Sequence, residues 1–275
     1  SITTGVNNVF VGGLAGDALT DADFNVAVGV AALTSDTLGS KSVAVGMNAL
    51  TAQNMTTATD ALNTAVGHAA GAAVTTGVQN VLVGGLAGDA LTDADFNVAV
   101  GYGALTADTL GSMSVAVGYT ALGTQNMTTA TNTFNVAVGH AAGSLITTGT
   151  GHTIIGALAG DALTTATFNT AVGYGTLSAD TVGNRSTAIG YAALFAQNYT
   201  TATDAYNTAV GFHSGVSVTT GIENTLIGSL AGDALTDADY NVAVGKSALS
   251  SDVLGSRAVA IGQSALAAQN FTTAT

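Results

Sequence analysis

A five-residue phrase recurs along the whole chain: a polar residue, three small or β-branched residues, and then glycine. The run from Asn63 to Gly67 is an example, and the chain contains fifteen near-copies of it. Three of every four intervals between the closing glycines are 17 residues long and one is 21, so four phrases make a 72-residue repeat. A repeat this strict predicts coils that stack on one another rather than an ordinary globular core.

The 72-residue period divides the chain into three full units and a partial fourth. We interpret the chain as a single repeat domain, residues 1–275, whose units span 8–79, 80–151, 152–223 and 224–275. It starts within one repeat and stops within another, so we expect it to be a piece of a longer fibre.

Each phrase predicts a parallel β-strand of about five residues, because Val, Ile and Thr at alternate positions suit a pleated surface. Val26 and Val28 then share one face and Ala27 points to the other, while the closing glycine permits a bend. A second, weaker strand is predicted at 32–34. The apolar spacing does not fit a helix, so the predicted fold is all-β: a parallel β-solenoid of fifteen coils.

The composition agrees with thin coils and excludes several classes of function. The chain has 36 glycines, no Pro, Cys or Trp, and 8% charged residues; small side chains suit closely stacked layers. A net charge of −13 argues against a basic patch for nucleic acid or an anionic membrane. No apolar run approaches the length of about 18 residues that a membrane span needs, so no membrane insertion of this segment is predicted.

The polar residue that opens each phrase predicts a vertical ladder of stacked side chains, as asparagines form in stacked strands. It is Asn in most coils, and Ser42, Ser114 and Ser186 take its place in the third coil of a unit. His152 and Ala258 are expected to interrupt the ladder.

The middle residue of the phrase is Ala in eleven of fifteen copies and a larger residue in the first coil of each unit. If the flanking Val residues fill the coil, this stripe faces outward, and a long exposed apolar stripe on a monomer favours aggregation. We therefore expect an oligomer that buries the stripe, with the larger residues as periodic plugs. The predicted oligomer stripe comprises Phe10, Ala27, Ala44, Ala65, Leu82, Ala99, Ala116, Ala137, Ile154 and Leu226.

The phrase resembles the head repeats of trimeric autotransporter adhesins of the YadA type, through the run Ser-Thr-Ala-Ile-Gly-Tyr-Ala-Ala at 186–193. It is also similar to arrays in some bacteriophage tail fibres, through Asn-Thr-Ala-Val-Gly-Tyr-Gly-Thr-Leu at 169–177. The resemblance covers essentially the whole chain, although coils of 17 or 21 residues are longer than the adhesin head's turn. It implies a left-handed β-roll in a homotrimeric, extracellular rod that attaches to a receptor or glycan on a host surface.

The expected function is therefore a non-enzymatic structural and adhesive fibre, part of a bacterial adhesin or a phage tail fibre. The alternative is a self-assembling extracellular filament or surface-layer protein without a specific receptor. No nucleophile, base and orienting group stand out, so neither a catalytic site nor a cofactor is predicted.

Triplets of Asp in the first coil of three units are a candidate calcium site, because carboxylates are hard oxygen ligands. The competing interpretation is turn chemistry, in which Asp accepts bonds from backbone N–H groups; the third unit keeps only one of its three carboxylates. The candidates are Asp17, Asp21, Asp23, Asp89, Asp93, Asp95, Asp233, Asp237 and Asp239.

The 21-residue coil of each unit carries an Asn-x-Thr sequence, a glycan acceptor in a suitable host. The same four extra residues are also consistent with an unmodified lateral loop that contacts a receptor, with its Met, Tyr or Phe covering the side of the coil. These loops are marked by Asn54, Asn126, Asn198 and Asn270.

Overall fold

The computed structural model describes residues 2–274 and contains strands and turns, but no helix, within that range. The chain divides into two compact units, Ser1–Asn135 and Val136–Thr275. The first contains seven coils and the second eight, each coil contributing one three-residue strand to a parallel sheet. The prediction of an all-β parallel solenoid is confirmed. The strands are three residues long rather than the five expected.

In the first unit, every phrase pairs with the phrase of the next coil in direct register, so Phe10 lies beside Ala27 and Ala27 beside Ala44. Two shorter two-stranded sheets join the second and third coils of a 72-residue repeat. The strands of the parallel sheet are β1 Val9–Val11, β2 Val26–Val28, β4 Val43–Val45, β6 Thr64–Val66, β7 Val81–Val83, β8 Val98–Val100 and β10 Val115–Val117. The short pairs are β3 Gly39–Ser40 with β5 Thr59–Asp60, and β9 Gly111–Ser112 with β11 Thr131–Asn132.

The second unit repeats this arrangement with eight strands in one parallel sheet. Its strands are β12 Val136–Val138, β13 Thr153–Ile155, β14 Thr170–Val172, β16 Thr187–Ile189, β18 Thr208–Val210, β19 Thr225–Ile227, β20 Val242–Val244 and β21 Val259–Ile261. Its short pair is β15 Gly183–Asn184 with β17 Thr203–Asp204.

The middle residues of the phrases point into the coils, and the predicted outward orientation of this stripe is wrong. The larger members of the stripe are inward as well, so they are not external plugs. Nine of the ten proposed members are fully buried with 0% exposure; only Phe10, in the first coil, is half-buried. The buried members are Ala27, Ala44, Ala65, Leu82, Ala99, Ala116, Ala137, Ile154 and Leu226.

The reason is the narrow space between the strand and the position opposite it, four residues after the closing glycine, because only one of these two positions carries a large side chain. In the first coil of a unit Leu82 lies in the strand and Gly88 lies opposite, where an added Cβ would approach Leu82 to 2.8 Å. In the next coil the strand has Ala99 and the opposite position has Leu105. Gly88 and Leu105 share a φ of about 55°, so glycine is required there by volume and not by conformation.

The closing glycines do depend on conformation, as the sequence predicts. Gly84 has a φ of 137°, and a Cβ on it would lie 2.4 Å from the carbonyl oxygen of Gly101. Only glycine tolerates this combination of backbone angle and close approach of the next coil.

The second strand predicted at 32–34 is absent. Leu33 has a φ of 52° and Ala31 one of 56°, both in the left-handed region, so this segment turns rather than extends. The second strands lie further along, in the short pairs described above.

The polar ladder is present, but its members bond mostly to backbone groups. Asn80 donates from its Nδ2 to the oxygen of Ala94, and its Oδ1 accepts the backbone N–H of Asn97 in the next coil. A direct amide-to-amide bond joins Asn80 to Asn63 at 3.3 Å. Each buried Asn thus connects its own coil to a turn and to its neighbour.

His152 does not interrupt the ladder, contrary to expectation. Its Nε2 lies 2.8 Å from the oxygen of Ala166, and its Nδ1 lies 3.2 Å from the backbone nitrogen of Asn169. The neutral ring, protonated on Nε2, thus makes the two bonds that Asn makes elsewhere. Ala258 lacks a polar side chain, yet its backbone N–H still donates to Asn241.

Where serine replaces asparagine, a buried cluster completes the ladder. Gln53 donates to the carboxylate of Asp36 at 2.5 Å and to Ser42 at 3.1 Å, and its oxygen accepts from Asn63. Asp36 also accepts the backbone N–H groups of Gly39 and Met55. This cluster anchors the 21-residue coil, and it recurs around Asp108 and Asp180.

Candidate assembly surface

The outward face of the first unit is built from the first and third residues of its seven strands. All of these residues are Val except Thr64, and all are half-buried or exposed. The most exposed are Val9 at 51% and Val11 at 57%, in the first coil. A flat sheet face of β-branched side chains, with no charge, is open to solvent along the whole unit.

The second unit presents an equivalent face of β-branched residues, in which the first position of five successive strands is Thr. Of these, Thr153 is exposed and Thr170 half-buried, while Ile155 and Ile227 in the third position are 40% and 39% exposed. Threonine has nearly the shape of valine, so this face has the same surface shape as the first but also carries hydroxyl groups.

Two columns of larger side chains border this face. The N-edge consists of the residues immediately before the ladder position, such as Phe96, and the C-edge of those immediately after the closing glycine, such as Tyr102. These two side chains are 45% and 55% exposed. The other large apolar N-edge residues at least 36% exposed are Phe24, Leu62, Met113, Phe134, Phe168, Tyr206 and Tyr240, and those on the C-edge are Val30, Met47, Tyr119, Tyr174, Tyr191 and Phe212.

The side chains of each edge stack along their own column. On the C-edge the rings of Tyr174 and Tyr191 lie 5.4 Å apart, and Tyr191 lies 5.5 Å from Phe212. On the N-edge the guanidinium of Arg185 lies 5.2 Å from the ring of Phe168 and 5.9 Å from that of Tyr206. These stacks follow the coil spacing of about 4.8 Å and leave the ring edges exposed.

The Asp triplets take part in bonds between coils and do not converge. Asp23 accepts the backbone N–H of Val6 at 2.6 Å, and Asp21 accepts the hydroxyl of Thr4 at 2.5 Å. Equivalent bonds form in the other two triplets, at Asp93 and Asp95 and at Asp237 and Asp239. Across residues 2–274 no three His, Asp or Glu side chains approach closely enough to hold a metal ion. These carboxylates thus bond to the preceding coil, through a Thr hydroxyl or a backbone N–H, rather than within their own turn.

The remaining Asp of each triplet varies in its bonding. Asp89 accepts the hydroxyl of Thr106, and Asp17 also has an interaction partner. The Oδ1 of Asp233 is buried without a hydrogen bond, and burial raises the pKa of this carboxyl above its usual range.

The Asn-x-Thr loops expose the asparagine but not the residue that follows it. Asn54 is exposed and accepts the hydroxyl of Thr37, whereas Met55 is 3% exposed and lies inside the coil. Asn126 and Asn198 repeat this arrangement, with Met127 and Tyr199 buried. The expectation that this residue covers the outside is therefore wrong, except at Phe271 beside Asn270, which is 44% exposed.

Burial also shifts the pKa of one ladder residue and of one carboxyl group in its supporting cluster. It lowers the pKa of His152 to about 4 and raises the pKa of the Asp180 carboxyl, which accepts bonds from Gln197 and three backbone groups. Both side chains belong to the ladder and its supporting cluster, so these shifts concern stability.

In the part of the chain that the structure describes, no helix has the length and apolar character to cross a membrane. Comparison with family models, with curated proteins and with solved structures found no match to this chain.

Sequence reasoning missed the two edge columns, although their signal is visible. Aromatic residues recur before the ladder position and after the closing glycine with the 72-residue period. The outward Val and Thr were recognised as a face but assigned to the interior.

Proposed function

We propose that this chain is a non-enzymatic structural segment of an extracellular fibre, a bacterial adhesin or a phage tail fibre, whose copies associate as a homotrimer. The observation that carries the proposal is the uncharged β-branched face, bordered by half-exposed rings such as Phe96 and Tyr102. Exposed apolar surface of this extent on a soluble protein marks an interaction site.

The energetic argument favours association through this face. Burying the exposed part of a Val side chain contributes on the order of 1 kcal/mol, and the face offers two such positions on every strand. No desolvated charge opposes this burial, because the charged side chains lie outside the two central columns. The trimeric state itself comes from the resemblance to adhesin and tail-fibre repeats.

In this proposal, a receptor or host glycan binds to the lateral loops. Their exposed residues Thr56, Thr57 and Ala58 recur unchanged in each unit, at 128–130, 200–202 and 272–274. The proposal assigns no reaction to the chain, because the buried Asn, Gln and Asp side chains named above serve bonds between coils.

Solution mass tests the proposal. Sedimentation equilibrium should give three times the chain mass of 26.6 kDa, and Val98→Lys with Val100→Lys should shift the protein to monomers while circular dichroism keeps its β signal. A stable wild-type monomer would refute the fibre proposal. Open-ended polymers would favour the alternative, a self-assembling filament without a receptor.

A further inference from the structure

Four of the seven tyrosines form two stacked pairs on the C-edge. The rings of Tyr102 and Tyr119 have centroids 5.8 Å apart and planes inclined by 13°. Those of Tyr174 and Tyr191 have centroids 5.4 Å apart and planes inclined by 11°. All four side chains are about half exposed, between 49% and 55%. Each pair therefore holds two phenol rings side by side, in contact with solvent.

The two tyrosines of a pair occur together or not at all. They occupy the C-edge positions of the second and third coils of a repeat. Both positions are Tyr in the second and third repeats, whereas the first repeat has Val30 and Met47 there and the fourth has Lys246 and Gln263. Side chains of different size and polarity thus fit this edge, so packing alone does not require a tyrosine at both positions.

The backbone holds the two rings of a pair at the coil spacing. Strands β8 and β10 pair in direct register, and beyond their glycine corners the backbone N–H of Thr120 donates to the oxygen of Tyr102 at 3.0 Å. The backbone N–H of Ala192 donates in the same way to Tyr174 at 2.9 Å. The rings cannot move apart unless the coils separate, and fixed proximity of this kind favours a reaction between them.

The other three tyrosines lie in different surroundings. Tyr199 is buried, and its hydroxyl donates to the oxygen of Gly221 at 2.7 Å. Tyr206 and Tyr240 lie on the N-edge, where the residues one coil away are Arg and Glu rather than Tyr. These three side chains are therefore an internal control for any reaction that needs two adjacent phenols.

We infer that the two C-edge pairs are sites of oxidative modification, at which Tyr102 is joined to Tyr119 and Tyr174 to Tyr191 as dityrosine. Each phenol of a pair loses one electron and one proton, and a carbon–carbon bond forms between the carbons ortho to the two hydroxyl groups. The hydrogens on these carbons then move to the oxygens and restore both phenols. Hydrogen peroxide, acting through a peroxidase, accepts the two electrons and two protons and becomes two molecules of water.

The reaction requires the two rings to turn about their side-chain bonds until their edges meet, and their exposed edges leave room for this rotation. The product joins two successive coils covalently, which restricts the unfolded chain and opposes separation of the coils. The inference goes beyond the proposed function and does not depend on it, because both rings of a pair belong to one chain.

Proteolysis locates the new bonds, because cleavage sites can be placed between the paired rings. Arg185 lies between Tyr174 and Tyr191, so trypsin separates these two rings in the denatured chain. Met113→Lys adds a site between Tyr102 and Tyr119, and it copies the lysine that the first repeat has at this position. The folded variant is oxidised with hydrogen peroxide and a haem peroxidase, and its monomer band is isolated under denaturing conditions before digestion.

Two joined products are expected from this digest, fragment 42–113 with 114–185 and fragment 114–185 with 186–246. Each should show the blue fluorescence of dityrosine and a mass two hydrogens below the sum of its fragments. Tyr119→Phe should lower the yield of the first product, and Tyr191→Phe that of the second, by at least roughly tenfold.

Tyr206→Phe with Tyr240→Phe is the matched control and should leave both yields unchanged. Oxidation in urea should remove the preference for the C-edge pairs, because the unfolded chain no longer holds their rings together. The inference would be overturned by the absence of both products, by linkage through Tyr206 or Tyr240, by dityrosine between chains only, or by equal yields from folded and unfolded protein. Sedimentation of the unoxidised wild type tests self-association separately, so the two proposals can fail independently.

Discussion

In strand β8, Ala99 points into the coil and is fully buried, whereas its neighbours Val98 and Val100 point outward and remain half-buried. The larger apolar residue thus lies outside and the smaller one inside, the reverse of the usual preference in a soluble monomer. The space between the strand and the position opposite it has room for one large side chain, and in this coil Leu105 occupies it. The outward Val side chains therefore form a second apolar surface, on which other copies of the chain can pack.

The largest expected effect comes from placing a charge on each face of β8. Ala99→Glu buries an unpaired carboxylate and should lower the free energy of unfolding by about 3–5 kcal/mol. Val98→Glu should change it by less than about 1 kcal/mol in the dissociated chain but should weaken self-association. Urea unfolding of dilute samples and sedimentation provide the two readouts. Equal losses of stability would contradict the assignment of inward and outward faces.

The next contrast uses two glycines of one coil. Gly101→Ala places a Cβ 2.4 Å from the carbonyl oxygen of Gly118 at a φ of 132°, and should cost about 3 kcal/mol or more. Gly103→Ala is the control, because its φ is 61° and its nearest neighbour atom lies 3.6 Å away; it should cost about 1 kcal/mol. Chemical denaturation compares the two, and a similar cost for both would show that close stacking does not restrict the corner.

A pH-dependent loss of stability is expected from the ladder histidine. The pKa of His152 is about 4 in the folded chain and about 6.5 in the unfolded one. Its contribution is therefore present above pH 6.5 and is lost as the pH falls toward 4, by roughly 3 kcal/mol in total. His152→Asn should remove this dependence, since Asn makes the same two bonds in other coils. The free energy of unfolding of both proteins, measured between pH 7 and 4, gives the difference. If it fell equally in both, His152 would not be the source of the pH dependence.

The smallest effect concerns the edge of the face. Phe96→Asn replaces an exposed ring at a φ of 60° by a residue that tolerates this conformation, and should stabilise the dissociated chain by about 0.5–1 kcal/mol. The same change should weaken self-association, because the ring is lost from the proposed contact. Phe96→Leu is the control that keeps apolar volume. If Phe96→Asn destabilised the isolated chain, the ring would belong to the coil's own packing.

Much of this fold can be predicted from the sequence, because the same pattern recurs in every coil. The 72-residue period, the parallel stacking and the glycine corners follow from spacing and residue type alone, as Gly84 illustrates. The candidate surface was harder to predict, because Phe96 and Tyr102 can be assigned to it only once the orientation of β8 is known. The 32–34 segment was misassigned because Leu33 adopts a positive φ that its residue type disfavours.

The sequence by itself determined that successive coils stack in register, since every phrase carries the same pattern and any slip would break the ladder through Asn80 and Asn97. It did not determine which side of the strand is the inside. Val-Ala-Val is apolar on both faces, so alternation alone cannot distinguish them. Only the tertiary structure decided this, because the space inside a coil depends on the residue that lies across it, Gly88 against Leu82 or Leu105 against Ala99.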